Sequence, residues 1–128
     1  MALYDDASRD DVVIAMKNFG IAVRNRTGQI LGNDGTATAE EVADLIRCLE
    51  DLISLHGHLC RLWSIPERRA LTDIGGLANS SIHLALLSLN KLNDLCDELE
   101  DPSNELSGEV IEEIHNAARR AVQAANNL

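Results

Sequence analysis

The sequence predicts an all-α, four-helix bundle-like domain built on a long antiparallel helical hairpin. Apolar residues recur at alternating spacings of three and four along most of the 128 residues, which is the pattern of one helical face. Only two prolines and three aromatic residues occur, so the periodic runs are long and the core must be mainly aliphatic. A single domain spanning 1–128 is large enough to form such a core without a metal or a disulfide.

The N-terminal helix is predicted to begin after Ser8, a residue type that often caps helix N termini. Its apolar stripe comprises Val12, Met16, Phe19 and Val23. Residues that suit the end of a helix follow directly, namely Arg24, Arg26 and Gly28. Gly20 weakens this prediction, and the alternative is a short β-hairpin that pairs 21–23 with 29–31. We expect the helix rather than the hairpin.

The first arm of the central hairpin, at about 39–63, carries the most regular stripe in the chain. The stripe comprises Val42, Leu45, Leu49, Leu52, His56, Leu59 and Trp63. Thr38 and Glu41 have the spacing of a capping box, in which each side chain bonds the backbone N–H of the other residue. Further apolar residues flank the stripe on both sides, so we expect this helix to contact two or more neighbours.

The second arm is predicted at about 65–100, after a corner where Ser64 and Glu67 form another capping box and Pro66 occupies the first turn. Its stripe comprises Leu71, Ile74, Ala78, Ile82, Ala85, Leu89, Leu92, Cys96 and Leu99. The spacing passes through the pair Gly75–Gly76 without a change of phase. We therefore expect one helix, bent at the glycines, although two glycines cost a helix roughly 2 kcal/mol relative to alanine.

The C-terminal helix is predicted to begin near Ser107. Its stripe comprises Ile111, Ile114, Ala118, Ala121 and Ala125. The acidic residues of this segment come early, and Arg119 and Arg120 come late, as the helix dipole favours.

Three leucines of the second arm lie outside its stripe: Leu84, Leu86 and Leu87. With them, Ile82–Leu89 is apolar on nearly all sides, which is typical of a helix that is buried all round. Either the N-terminal helix or a second copy of the chain must then cover these leucines. We expect them to form an interface, most simply that of a two-fold homodimer.

The net charge of −10 argues against duplex nucleic acid as a direct partner, because phosphate binding needs a concentrated basic face. Acidic residues instead cluster at one end of the predicted hairpin: Asp94, Asp97, Glu98, Asp101, Glu105 and Glu109. Two interpretations remain open for this end. It is either ordinary solvated surface or a region that docks a basic protein partner.

A second candidate site lies near the hairpin corner and the glycines that follow it. It would comprise Arg68, Arg69, Gly75, Asn79, Ser80 and Ser81. In the functional interpretation, the small residues leave a groove in which the arginines bind a small anion and the polar side chains add hydrogen bonds. In the competing interpretation, which we favour, small side chains here simply allow close packing of the two arms.

No metal site, cofactor site or catalytic residue is predicted. His56 and Cys60 share one side of the first arm, but His58 points about 160° away from His56. His83 and His115 are expected too far along the bundle to complete a tetrahedral zinc site. Cys60 and His56 could act as nucleophile and base, yet a packed helix interior gives a substrate little access. We therefore expect a protein that is not an enzyme.

Three cysteines, the absence of a secretory signal at the start and the absence of a long apolar run predict a cytoplasmic protein that does not enter membranes. Cys48 and Cys60 lie roughly 18 Å apart along one predicted helix, and Cys96 belongs to the other end of the hairpin, so no intramolecular disulfide is expected. The leading functional prediction is a small acidic bundle that binds a partner protein, as an inhibitor, an adaptor or an antitoxin-like module. The alternative is a bundle that binds or sequesters a small anionic, nucleotide-like ligand.

Overall fold

A computed structural model describes residues 9–34, 36–63, 81–101 and 108–128, and within these ranges the chain is helical apart from short connections, without a strand. The helices are α1 (Arg9–Gly32), α2 (Ala39–Ile53), α3 (Leu55–Leu62), α4 (Ser81–Glu100) and α5 (Gly108–Asn126). The predicted all-α, bundle-like fold is confirmed. The predictions made for Ser8, for the corner and glycines within 64–80, and for Glu105 lie outside the described residues.

The four longer helices pack as a bundle in which each has two main neighbours. Helix α1 packs against α2 and α5, and α4 packs against the same two helices, while α3 extends α2 and contacts both α1 and α4. The contact between α1 and α5 is the most extensive. Gly20 lies beside Val122, and Thr27 lies beside His115, so these two helices run antiparallel. The largest fully buried side chains are aliphatic, apart from the thioether of Met16.

Helix α1 is longer than the sequence predicted. It passes through Arg24, Arg26 and Gly28 and ends at Gly32, so both the predicted helix end and the alternative β-hairpin are wrong. The buried face continues beyond the predicted end. It comprises Val12, Ala15, Met16, Gly20, Val23, Thr27 and Ile30. Burial of Thr27 and Ile30 outweighs the roughly 1 kcal/mol that a glycine inside a helix, such as the exposed Gly28, costs in stability.

The predicted first arm is confirmed as α2 and α3, which are separated by a single turn residue. Thr38 Oγ1 accepts a hydrogen bond from the Glu41 N–H at 3.1 Å, and Glu41 Oε1 accepts one from the Thr38 N–H at 3.2 Å. This is the predicted capping box. At the break, Ser54 keeps right-handed helical backbone angles while its hydroxyl donates to the Asp51 carbonyl at 2.6 Å. The chain therefore continues in nearly the same direction.

The C-terminal end of α3 contacts the first turn of α1. The Arg9 guanidinium lies 4.6 Å from the centre of the Trp63 ring and donates a hydrogen bond to the Leu62 carbonyl at 3.2 Å. A cation over an indole face is attracted by the ring's quadrupole. Because Trp63 is half-buried, this contact also covers one edge of the core.

Helix α4 confirms the described part of the second stripe, since Ile82, Ala85, Leu89 and Leu92 are all buried. Within one chain, Leu84 and Leu87 are exposed, so the described helices of that chain do not cover its apolar segment on every side. Leu86 is 0% exposed within one chain, so the prediction that it forms an interface is wrong. Neither α4 nor any other described helix combines the length and the apolar composition needed to cross a membrane.

Candidate functional site

The most prominent apolar surface among the described residues is formed by Leu84 and Leu87 on α4. Their exposed fractions are 51% and 48%, and they are three residues apart, so they are neighbours on one helical face. They line a groove between α4 and α5. The other lining residues are Ser88, Asn90, Lys91, Asp94 and Arg120. Ile14 is similarly exposed, at 55%, but it lies on α1, which does not pack closely against α4.

A second stretch between α4 and α5, towards the C terminus of α4 and the N terminus of α5, is acidic. This second stretch is lined by Glu98, Glu109, Val110, Glu112, Glu113 and Asn116, and no lysine or arginine lines it. The structure therefore brings two of the predicted acidic residues, Glu98 of α4 and Glu109 of α5, to one place. Asp94, Asp97 and Asp101 are also exposed, as expected. We call the two stretches together the α4–α5 groove.

A separate pair of acidic residues links α2 to α4. The carboxyl groups of Glu50 and Glu100 share a hydrogen bond, which raises the pKa of Glu100, and the charges of Glu50 and Asp97 raise it further. Cys96 Sγ lies 4.0 Å from Glu100 Oε1. Burial raises the pKa of Cys96 from 9.0 to about 11, and the nearby carboxylates add to that effect. Cys96 is therefore a neutral thiol at neutral pH and a poor nucleophile.

The possible nucleophile and base of the first arm are close together, and the nucleophile is buried. Cys60 Sγ lies 3.8 Å from His56 Nδ1, and Cys60 is only 1% exposed. Solvent therefore reaches almost none of the Cys60 side chain. In the described ranges, no three His, Cys, Asp or Glu side chains are placed to hold a metal ion together.

The sequence did not reveal one polar contact, between Thr27 of α1 and His115 of α5. The two side chains approach to 2.9 Å between Oγ1 and Nδ1, and Thr27 is fully buried. The Thr27 hydroxyl also lies 2.9 Å from the Val23 carbonyl and 3.0 Å from the Arg24 carbonyl. Thr27 falls on the same three-four spacing as Val23 and Ile30, and this signal was available in the sequence.

A basic groove on the α1–α5 side of the bundle was also missed. It is lined by Arg24, Asn116, Arg119, Arg120, Val122, Gln123 and Asn126. The predicted ligand groove, by comparison, consists of Arg68, Arg69, Gly75, Asn79 and Ser80, which lie outside the described residues, and of Ser81, the half-buried first residue of α4.

The α4–α5 groove is the best candidate functional site because, in the described structure, it places adjacent exposed leucines and a cluster of carboxylates between the same two helices. Its leucines can make apolar contacts, and its carboxylates can pair with cations. Comparisons of the chain with protein-family models, with curated proteins and with solved structures gave no match.

Proposed function

We propose that this protein acts non-enzymatically by binding a segment of another protein in the α4–α5 groove, as an inhibitor, an adaptor or an antitoxin-like module would. The observation that carries the proposal is the exposure of Leu84 and Leu87 side by side on α4. Large apolar side chains that are adjacent on a surface characterise interaction sites, whereas isolated ones are ordinary.

The charges along the groove define the chemistry of the partner. Apolar side chains of the partner would contact Leu84 and Leu87, and basic side chains would face the carboxylates at Glu98 and Glu109. An amphipathic helix with a basic end has this composition, and binding of a helix in a groove between two helices is a common mode of recognition. Complementary charge would speed encounter and fix the orientation of the bound helix.

The two leucines cannot supply the whole affinity. Complete burial of a leucine contributes about 1.5–3 kcal/mol, and these two are already about half-buried, so together they contribute on the order of 1.5–3 kcal/mol. A micromolar complex needs about 8 kcal/mol. The acidic stretch of the groove must therefore contribute as well, and we expect binding to weaken as salt concentration rises.

The experiment compares three immobilised proteins as baits in an extract of the native host: the wild type, a Leu84→Asp/Leu87→Asp variant and Ile14→Asp. Ile14 is the matched control because it is an equally exposed apolar residue on a different helix. We expect a partner that is retained by the wild type and by Ile14→Asp and lost from the double variant. Identical sets of retained proteins on all three baits would contradict the proposal.

A second copy of the chain is the other occupant that would bury these leucines. In that case, light scattering should show the mass of the wild type rising with concentration towards that of a dimer, and Leu87→Asp should remain a folded monomer. Because Leu87 is 48% exposed, its replacement by aspartate leaves the charge solvated in the monomer. A wild type that stays monomeric across the concentration range rules out the dimer and leaves a different protein as the partner.

A further inference from the structure

The basic groove between α1 and α5 brings together cationic residues that are remote in sequence. Arg24 comes from α1, and Arg119 and Arg120 come from α5. The contacts of Gly20 with Val122 and of Thr27 with His115 set the register of the two helices. Arg24 lies between Gly20 and Thr27 in α1, and Arg119 lies between His115 and Val122 in α5. The two arginines are therefore at about the same level of the bundle.

Within the described part of the protein, none of these arginines forms an ion pair with a carboxylate. The ion pair found there joins Arg47 to Asp44 at 3.7 Å, on the exposed side of α2. No carboxylate lines the basic groove, whose remaining polar residues are the amides Asn116, Gln123 and Asn126. Since acidic residues outnumber basic ones by 21 to 11, three arginines that share a groove free of carboxylates are not a simple consequence of composition.

The helix dipole does not explain the arginines either. The sequence suggested that Arg24 and Arg119 lie near helix C termini, where a cation is stabilised. In the structure, α1 continues to Gly32 and α5 continues to Asn126, so each arginine lies about two turns before the end of its helix. The dipole effect is confined to the last turn. The last turns of both helices contain no basic residue.

We propose that this groove binds a small phosphate-bearing anion. A guanidinium presents a planar set of N–H donors that matches two oxygens of a phosphoryl group, and its charge is retained at any physiological pH. Two or three arginines would neutralise a phosphate dianion. The amides of Asn116 and Gln123 are available to donate hydrogen bonds to the remaining oxygens or to a neighbouring hydroxyl group.

The test measures anion binding by calorimetry and by thermal shift, with sodium chloride used to hold ionic strength constant. The probes are inorganic phosphate, pyrophosphate and adenosine monophosphate, which distinguish a free anion from a phosphoryl group on a larger molecule. We expect saturable binding of at least one probe and a rise in melting temperature, because a ligand that binds only the folded state stabilises it. Chloride alone should give no saturable signal.

The variants are Arg24→Gln and Arg119→Gln, with Arg47→Gln as the matched control. Each of the first two should weaken binding roughly tenfold or more, the loss expected when a charge-assisted hydrogen bond is removed. Arg119 is exposed, so Arg119→Gln should fold as the wild type does even if Arg24→Gln is affected. Arg120 is left unchanged because it also lines the groove beside Leu84.

Two results would overturn the anion site: the absence of saturable binding by every probe, or binding that Arg24→Gln and Arg119→Gln leave unaltered. Neither result bears on the partner-binding proposal, because its variants at Leu84 and Leu87 lie on α4 and do not line the basic groove.

Discussion

Gly20 of α1 lies against Val122 of α5 so closely that a Cβ atom added to Gly20 would stand 2.6 Å from Val122 Cγ2. The next nearest atom, the Ala118 carbonyl oxygen, would be 3.7 Å away and belongs to the backbone. The inward face of α5 is made largely of small residues: Ala117, Ala118, Ala121, Ala124 and Ala125. The most extensive helix contact in the bundle therefore depends on a close approach that a glycine permits.

We predict that Gly20→Ala destabilises the protein, although alanine is intrinsically better in a helix by about 1 kcal/mol. The added methyl group would displace Val122, whose β-branched side chain has little rotamer freedom in a helix. Overpacking of this kind costs typically 1–3 kcal/mol, which exceeds the gain in propensity. Chemical denaturation measures the difference.

Gly28→Ala is the matched control, since Gly28 is also inside α1 and an added Cβ would be 3.8 Å from His115 Cε1, an ordinary contact. It should stabilise the protein by about 0.5–1 kcal/mol. Adding Val122→Ala should reduce the cost of Gly20→Ala, because it removes the clashing atom. If Gly20→Ala and Gly28→Ala stabilise equally, the close contact is refuted.

The difference between the predicted and observed α1 shows what periodicity can and cannot establish. The stripes around Leu45 and Leu89 predicted buried faces correctly, because one helical face repeats without interruption there. The predicted α1 ended at Gly28 because glycine is common at the residue that follows a helix. Ile30 and Thr27 are buried against other helices, and contacts with residues so distant in sequence leave no local signal beyond the spacing itself.

We predict that Thr27→Val destabilises the protein by about 1–3 kcal/mol, the cost of leaving a partly enclosed polar atom without its partner. The substitution conserves shape but removes the hydroxyl group that contacts His115 Nδ1 at 2.9 Å. Thr27→Ser is the control, because it retains the hydroxyl and loses only a methyl group. Denaturation should show the larger loss for valine. A larger loss for serine would mean that packing, and not the hydrogen bond to His115, accounts for the role of Thr27.

Leu86 and Leu87 are adjacent in sequence, and we predict opposite responses to truncation. Leu86 is fully buried, so Leu86→Ala should cost about 2–5 kcal/mol through the lost contacts and the cavity that remains. Leu87→Ala should change the free energy of unfolding by no more than about 0.5 kcal/mol, as for most surface substitutions. Both are measured by denaturation at low protein concentration, where a dimer would dissociate. Equal losses would show that Leu87 belongs to the core of one chain.

The surface of the candidate site was only partly predictable, and the reason lies in the arrangement of the helices. The sequence showed that Leu84, Leu86 and Leu87 lie outside the stripe of α4. It did not show which of them another helix covers, because that depends on where α2 and α5 lie around α4. The sequence could not predict that Arg24 and Arg119 line one groove either, because their proximity follows from the register of α1 against α5.

We predict that Glu100→Gln raises the melting temperature at neutral pH and has little effect in acid. The hydrogen bond to Glu50 raises the pKa of Glu100 above its ordinary value of 4.5, so the folded state binds the proton more tightly than the unfolded state does. Stability from this group is then fully present below 4.5 and is lost as the pH rises through the raised folded pKa. Glutamine removes the negative charge that Glu50 and Asp97 disfavour at position 100, while its amide can still donate a hydrogen bond to Glu50.

The measurement is the difference in melting temperature between Glu100→Gln and the wild type, followed from about pH 4 to about pH 7. The difference should be near zero at the acidic end and should grow as the pH rises. Glu112→Gln removes the same charge from α5, on a residue exposed in the α4–α5 groove, and it should not reproduce this dependence. A difference that stays constant with pH would show that Glu50 and Glu100 do not share a proton in the folded protein.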